Sequence, residues 1–181
     1  MLKLDLVGEE LFNEDTWEYI SVEPVTVRLE HSLLAISRWE SKYHKPFMST
    51  PEKTLDELAY YVRCMTLTDD LLDDEIAMRI VSSQDTLRQV KIYLDDPATA
   101  TVVKADPGAK KSSKFVTSEL IYYWMAAHRI PFTTDRWNIN RLLKLIEVCN
   151  AESQPSKKMS YEDKMRNHKS INAARRAKRK H

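Results

Sequence analysis

Only two of the 181 residues are glycine, Gly8 and Gly108, and that scarcity narrows the folds open to the chain. Glycine supplies the positive φ of tight turns and lets backbone approach a phosphate closely. Neither a P-loop nor the glycine-rich turn of a dinucleotide-binding unit can be written with these two residues. Most nucleotide-dependent enzymes are excluded at that step. The chain is instead rich in strong helix formers, so a mostly helical protein is predicted. A 43% hydrophobic share is ordinary for a globular core, and the length suits one domain with an extension.

The first 30 residues read as strand. Leu2, Leu4 and Leu6 alternate with Lys3 and Asp5, and Val25, Val27 and Leu29 alternate with Thr26, Arg28 and Glu30. Period-two alternation places one face on a core and the other in water. Trp17 to Val22 is read as a further strand and Glu23-Pro24 as a turn, which makes a small antiparallel sheet or hairpin.

Helices follow. Ser32 caps one with Leu33, Ile36 and Trp39 or Tyr43 inward, ended by Pro46. Thr54-Leu55-Asp56-Glu57 is a capping box that opens a helix with Leu55, Leu58, Val62 and Met65 inward. Shorter helices are predicted over Asp74 to Val81 and after Ser83, the latter with Leu87, Val90 and Leu94 inward and Asp96-Pro97 as its stop. Thr99 to Ala105 is β-prone, and Asp106 to Lys114 reads as a loop. Ser118 caps a helix that is apolar on every side from Leu120 to Met125. Such a helix belongs at the centre of its domain, with Trp124 buried so deeply that truncating it unfolds the protein. Thr134 starts the last helix. Trp137, Leu142, Leu145 and Cys149 form one stripe, with Ile139, Leu143 and Ile146 beside it. Asn138, Asn140, Arg141, Lys144 and Glu147 fill the other arc. These two helices, joined at Ile130-Pro131, are expected to form a helical hairpin at the heart of the fold.

The predicted class is therefore α+β, mostly α. Strands over 1–30 pack on a helical core domain over 31–154, and a basic extension over 155–181 follows a boundary at Gln154-Pro155-Ser156. From Lys157 to His181 there are ten Lys/Arg and two Asp/Glu, a net charge of +8, against −7 for residues 1–156. Like charges at that density stay in water, so the extension is read as disordered or as a helix ordered by a partner. Its cations Lys157, Lys158, Arg166, Arg175, Arg176, Lys178, Arg179 and Lys180 are the candidate partner-binding residues. The extension lacks interleaved aromatics for base stacking, which makes nucleic acid the weaker reading of its charge.

No catalytic or cofactor signature stands out. Cys64 and Cys149 are far apart and sit in apolar helical patterns, as buried small hydrophobes do. The acidic stretch Asp69, Asp70, Asp73, Asp74 and Glu75 lacks the alternation and glycine of a calcium loop and suits the N-terminus of a helix. His31, His44, His128, His168 and His181 show neither HxxxH nor HExxH spacing. No cofactor, no metal and no catalytic residue is predicted. Trp39, Tyr61, Tyr122, Trp124 and Trp137 read as core, and a groove lined by some of them would admit a peptide helix. The longest apolar run, Leu120 to Ala127, is far short of a membrane span. The start MLKLDLVGEELFNEDTWEY is too acidic for a signal peptide, so a soluble cytoplasmic protein is expected.

Several segments together resemble the tail assembly chaperones encoded by long-tailed bacteriophages. They are EHSLLAISRWESKYHKPF (Glu30–Phe47), YVRCMTL (Tyr61–Leu67), DDPATAT (Asp95–Thr101), SELIYYWMAAHRIPF (Ser118–Phe132), WNINRLLKLIEVCN (Trp137–Asn150) and PSKKMS (Pro155–Ser160). No pattern of the family covers Asp69–Glu75 or Lys110–Lys114. The resemblance implies a non-enzymatic helper that binds the helical tape-measure protein and helps recruit tail-tube subunits in the host cytoplasm. Such a helper is generally absent from the finished virion, and many are made in a short form and a frameshifted longer one. A homo-oligomer stays open. The alternatives are a structural protein of the head–tail junction or tail, and a small nucleic-acid-binding protein acting through the basic extension.

Overall fold

Alternating leucine and valine do form strands. A computed structural model describes residues 1–13, 17–68, 70–102, 115–153, 165–166 and 168–172. Strand β1 (Leu2–Leu6) pairs antiparallel with β4 (Val25–Leu29), and β2 (Glu9–Asn13) pairs with β3 (Glu18–Val22). In both ladders the partner numbers total 31, from Leu2↔Leu29 to Asn13↔Glu18, so the four strands are one long hairpin with an interruption. By that register the interruption sets Pro24 opposite Val7 and Glu23 opposite Gly8. Proline has no N–H to give a ladder. A Cβ on Gly8 would lie 3.0 Å from the Val22 carbonyl oxygen and 3.2 Å from Pro24 Cδ, so the close approach requires glycine there. Glu23-Pro24, expected as a turn, is thus a break in the ladder. The chain reverses between Asn13 and Glu18, where Trp17 takes a positive φ of 58°.

Six helices follow: α1 (Leu33–Tyr43), α2 (Leu55–Cys64), α3 (Asp74–Ser82), α4 (Gln84–Asp95), α5 (Ser118–Ala127) and α6 (Ile139–Ser153), with 3₁₀ turns at Phe47–Ser49 and Phe132–Arg136. The architecture is α+β and mostly α. Local chemistry sets most helix starts. Ser32 accepts from the Ala35 N–H at the head of α1. Thr54 and Glu57 complete the capping box of α2, and Asp73 accepts from the Glu75 and Ile76 N–H groups ahead of α3. Each such cap contributes about 1 kcal/mol.

The core draws on every one of these six helices and on the β1–β4 ladder. Leu4, Leu29, Leu33, Trp39, Tyr61, Met65, Ile80, Ile121 and Leu142 are among its wholly buried side chains. Helix α1 is central: it packs on α2, on α5 and on both 3₁₀ turns, while α3 bridges α2 and α4 and α4 reaches β1. The expected α5–α6 heart is therefore displaced to α1. Helix α5 is not enclosed, because Tyr123 is 67% exposed and Trp124 only half-buried.

Further boundaries shift. Thr117, not Ser118, caps α5. The last helix begins at Ile139, and a 3₁₀ turn occupies Phe132–Arg136 where its start was expected at Thr134. Leu55 is exposed, so the buried face of α2 is Ala59, Tyr61, Val62 and Cys64. Helix α1 ends at His44 in the left-handed region, ahead of Pro46. Thr99 to Val102 carries no strand, and the rest of that β-prone stretch and the loop Asp106–Lys114 lie outside the described residues. So does the boundary Gln154-Pro155-Ser156. Met1–Cys149 form one compact unit and Asn150–His181 another. Among the described residues no helix is long and apolar enough to cross a membrane.

Scarce glycine leaves a measurable trace. Trp17, His44, Ala98 and Arg129 all hold φ between 51° and 58°, values that side chains with a Cβ resist. His44 is the left-handed C-cap of α1, its N–H donating to the Glu40 carbonyl at 2.8 Å. Replacing it by glycine removes the strain but loosens the unfolded chain, so His44→Gly should raise stability by about 0.5–1 kcal/mol in urea unfolding. A lower midpoint would mean that the imidazole makes a contact outweighing the strain.

Candidate partner-binding surfaces

The turn between β4 and α1 is where distant elements converge. The Glu30 N–H donates to the Met65 carbonyl at 2.8 Å and the Ile139 N–H to the His31 carbonyl at 2.7 Å, which ties the turn to the end of α2 and the start of α6. The Glu30 carboxylate accepts from the Tyr93 hydroxyl and, at 3.3 Å, from Asn138 Nδ2. The Met1 α-ammonium lies 2.9 Å from its other oxygen. His31 is 6% exposed, and its Nδ1 is 2.5 Å from the hydroxyl of the wholly buried Tyr61. Two neutral groups suffice for that bond, and burial keeps both neutral: it pushes Tyr61 well above the usual phenol range and His31 down to about 4.

His31 forms the floor of a cavity of about 540 Å³ bordered by Phe47, Leu58, Leu94, Lys53 and Lys91. Lys53 is already committed. Its ammonium donates to the Phe47 and Thr50 carbonyls at 3.1 and 2.6 Å and sits 4.0 Å over the Phe47 ring. The imidazole therefore has a hydroxyl and aromatic rings for neighbours, an arrangement that packs the turn ahead of α1 against α2.

Burial of His31 has a consequence in solution. Desolvation lowers its folded pKa, Glu30 opposes that and Lys53 adds to it. From an unfolded value near 6.5 down to the folded value of about 4, the unfolded chain holds a proton that the native state lacks. Stability from this group is thus complete above pH 6.5 and falls as the pH drops through that window, by about 3 kcal/mol in all. His31→Gln should lose correspondingly less between pH 7 and pH 4 in parallel urea titrations. Superimposable pH profiles would show that His31 is solvated in the native state.

A second surface lies on α6. Ile139, Leu142 and Ile146 are its buried residues. Trp137, just ahead of the helix, with Arg141, Leu145 and Val148 falls at i, i+4, i+8 and i+11, roughly 140° around the helix from that buried stripe. These residues, with Thr99 and Lys144, border a groove of about 400 Å³. Lys144, Thr99 and Asn140 also border an adjoining cavity of about 440 Å³. The segment after α4 separates the two, held by Asn140 Nδ2 donating to the Leu94 and Asp96 carbonyls at 3.1 and 2.7 Å. Trp137 is 41% exposed and Leu145 and Val148 half-buried. Arg141 stacks on Trp137 at 4.9 Å, and Lys144 pairs with Glu147 at 2.5 Å.

The other aromatics read as core divide. Trp39 and Tyr61 are fully enclosed, whereas Tyr122, Trp124 and Trp137 reach the surface. The sequence placed Trp137 and Leu145 on the core stripe and Arg141 and Lys144 on the polar arc. Four-residue spacing of Trp137, Arg141 and Leu145 was the signal that they share a side.

The remaining candidates are structural. Asp73 caps α3, and Asp74 pairs with Arg63 at 3.1 Å. Among the described residues no group of three or more His, Cys, Asp or Glu could hold a metal. Cys64 is buried and burial raises its thiol to about 11; Cys149 is half-buried and also unpaired. Of the candidate cations of the basic extension only Arg166 is described, exposed in a helical segment. Lys157, Lys158, Arg175, Arg176, Lys178, Arg179 and Lys180 lie outside the described residues. No family model, no curated protein and no solved structure matches the chain.

Proposed function

We propose that the chain is an assembly chaperone of a long-tailed phage. It binds the tape-measure protein, keeps that protein's apolar helical surfaces from aggregating and helps bring tail-tube subunits to it, without making or breaking bonds. The observation that carries this reading is the outward strip made by Trp137 with Leu145 and Val148 of α6, beside an open groove. Apolar side chains at that spacing accept an amphipathic helix. The succession of segments that resembles the tail assembly chaperones supports the same reading. The basic extension, net +8 from Lys157 to His181, adds a cationic surface for acidic partners. In this reading the protein works in the host cytoplasm and leaves before the particle is complete.

Co-expression with the tape-measure protein of the same phage is the test. The soluble fraction of the tape-measure protein should rise several-fold, and the two should co-purify. No gain and no co-purification removes the proposal. Stoichiometric presence of the chain in purified virions, read by mass spectrometry, would replace it with a structural role in the particle.

A further inference from the structure

The α6 strip carries information about the partner's chemistry. From Trp137 to Val148 the strip covers twelve residues, about 16 Å at a rise of 1.5 Å per residue, or three helical turns. Its apolar members are flanked by two cations, Arg141 and Lys144, and among the described residues no carboxylate borders the groove. Lys144 already shares Glu147. Arg141 lies stacked on the Trp137 ring and has no carboxylate partner among the described residues. A guanidinium held over a ring face makes no ion pair there, so its fork of N–H donors is still available to a carboxylate. A guanidinium so held is preorganised for a carboxylate brought by something else.

We infer that this strip docks an amphipathic helix of another protein in which carboxylates flank the apolar stripe, one of them pairing with Arg141. The inference rests on the reading of the chain as a protein-binding chaperone and adds the place of binding and the charge of what binds. Apolar anchors of the incoming helix fill the space between Trp137, Leu145 and Val148. The Arg141 pair sets its register, since a charge at the rim of an apolar contact selects among partners more than it adds affinity. An acidic helix is also the sign of partner that the body, net −7 over residues 1–156, would otherwise repel. Arg141, a cation with no carboxylate partner among the described residues, is therefore the feature that distinguishes this face.

Two fluorescein-labelled synthetic helices test the inference on the full chain by anisotropy. Both carry leucine at i, i+3, i+4 and i+7; one has glutamate at the flanking positions and the other lysine. The glutamate helix should bind at least tenfold more tightly, and the gap should close as salt is raised. Leu145→Asp and Val148→Asp should abolish binding; Val148→Asp should keep a melting temperature close to the parent because its side chain is half-exposed, whereas Leu145 also packs against the core and its loss lowers the melting temperature. Arg141→Glu should reverse the preference between the two helices, a gain that misfolding cannot produce. Equal binding of the two helices, or binding untouched by Leu145→Asp, overturns the inference. A parent chain that sediments as a dimer and becomes a monomer on Leu145→Asp overturns it too, since the strip would then be covered by a second copy. Tape-measure protein that stays soluble with the Leu145→Asp chain would sink this site while leaving the chaperone reading intact. Helix binding without tape-measure solubilisation would do the reverse.

Discussion

Trp39→Ala should leave the protein on the edge of unfolding. The indole is fully enclosed, packed on Tyr43 at 4.9 Å between centroids and edge-on to Phe47 at 5.2 Å. Truncating a buried tryptophan costs about 3–5 kcal/mol in lost contact and residual cavity. A second loss is specific to this site. The indole N–H donates to the Glu57 carbonyl at 2.9 Å, joining α1 to the first turn of α2, and alanine loses that bond for about 1 kcal/mol more, although the carbonyl keeps its place in the helix ladder. Set against a typical total of about 5–15 kcal/mol, the sum removes most of the native stability. Trp39→Phe keeps a ring and loses the hydrogen bond, so a deficit of about 1–3 kcal/mol is expected. Trp124→Ala is the contrast. Its side chain is only half-buried, and it should cost less than about 2 kcal/mol. Urea midpoints of the three variants decide the matter. If Trp124→Ala proves the costliest, α1 is not the centre of the fold.

That contrast shows where sequence reading succeeds and where it stops. Some signals confined to a few neighbouring residues survived, though the Ser118 cap and the Glu23-Pro24 turn did not. The Leu2-Leu4-Leu6 and Val25-Val27-Leu29 alternations are paired strands, and the Thr54–Glu57 box is a formed cap. Each depends on geometry within one element, which the sequence specifies directly. Centrality depends on how many other elements press on a helix. The run from Leu120 to Met125 is more apolar than anything in α1, yet Tyr123 is exposed while Trp39 is enclosed. Hydrophobicity says that a side chain tolerates burial; it does not say that enough neighbours exist to bury it. The break at Gly8 and Pro24 was hidden for a related reason, because only the register shared by both ladders reveals one hairpin.

The α6 strip was half legible. Spacing of four set Trp137, Arg141 and Leu145 on one side, but two apolar stripes on one helix look alike on paper. Only packing separates Ile139, Leu142 and Ile146, which are enclosed, from Leu145 and Val148, which are not. The basic extension was legible as charge and as nothing more, since like charges without apolar company specify no geometry.

Glu40 was the least legible residue and carries the other large effect. In the sequence it is one acid among 27. In the fold its side chain is buried, and its two oxygens reach separate helix starts. Oε1 accepts from the Phe47 N–H at 2.8 Å, at the first residue of the 3₁₀ turn Phe47–Ser49. Oε2 accepts from the Ser118 N–H at 2.7 Å, at the first residue of α5. The first N–H groups of a helix have no partner within it, and that end bears partial positive charge, so one carboxylate satisfies two orphan donors in an electrostatically favourable place. Charge-assisted bonds of this kind are worth about 1.5–3 kcal/mol each. Glu40→Ala should therefore cost about 3–5 kcal/mol in urea unfolding. Glu40→Gln should cost about 2–3, because an amide offers one oxygen where two are needed and turns its NH₂ toward the other donor. Glu52→Ala, on an exposed side chain, should stay within about 0.5 kcal/mol of the parent. Amide exchange supplies the residue-level check: the Phe47 and Ser118 protons should be protected in the parent and lose that protection together in Glu40→Gln. Independent loss of the two would mean that the carboxylate does not couple these helix starts. A deficit below about 1 kcal/mol in Glu40→Ala would mean that water replaces it without penalty.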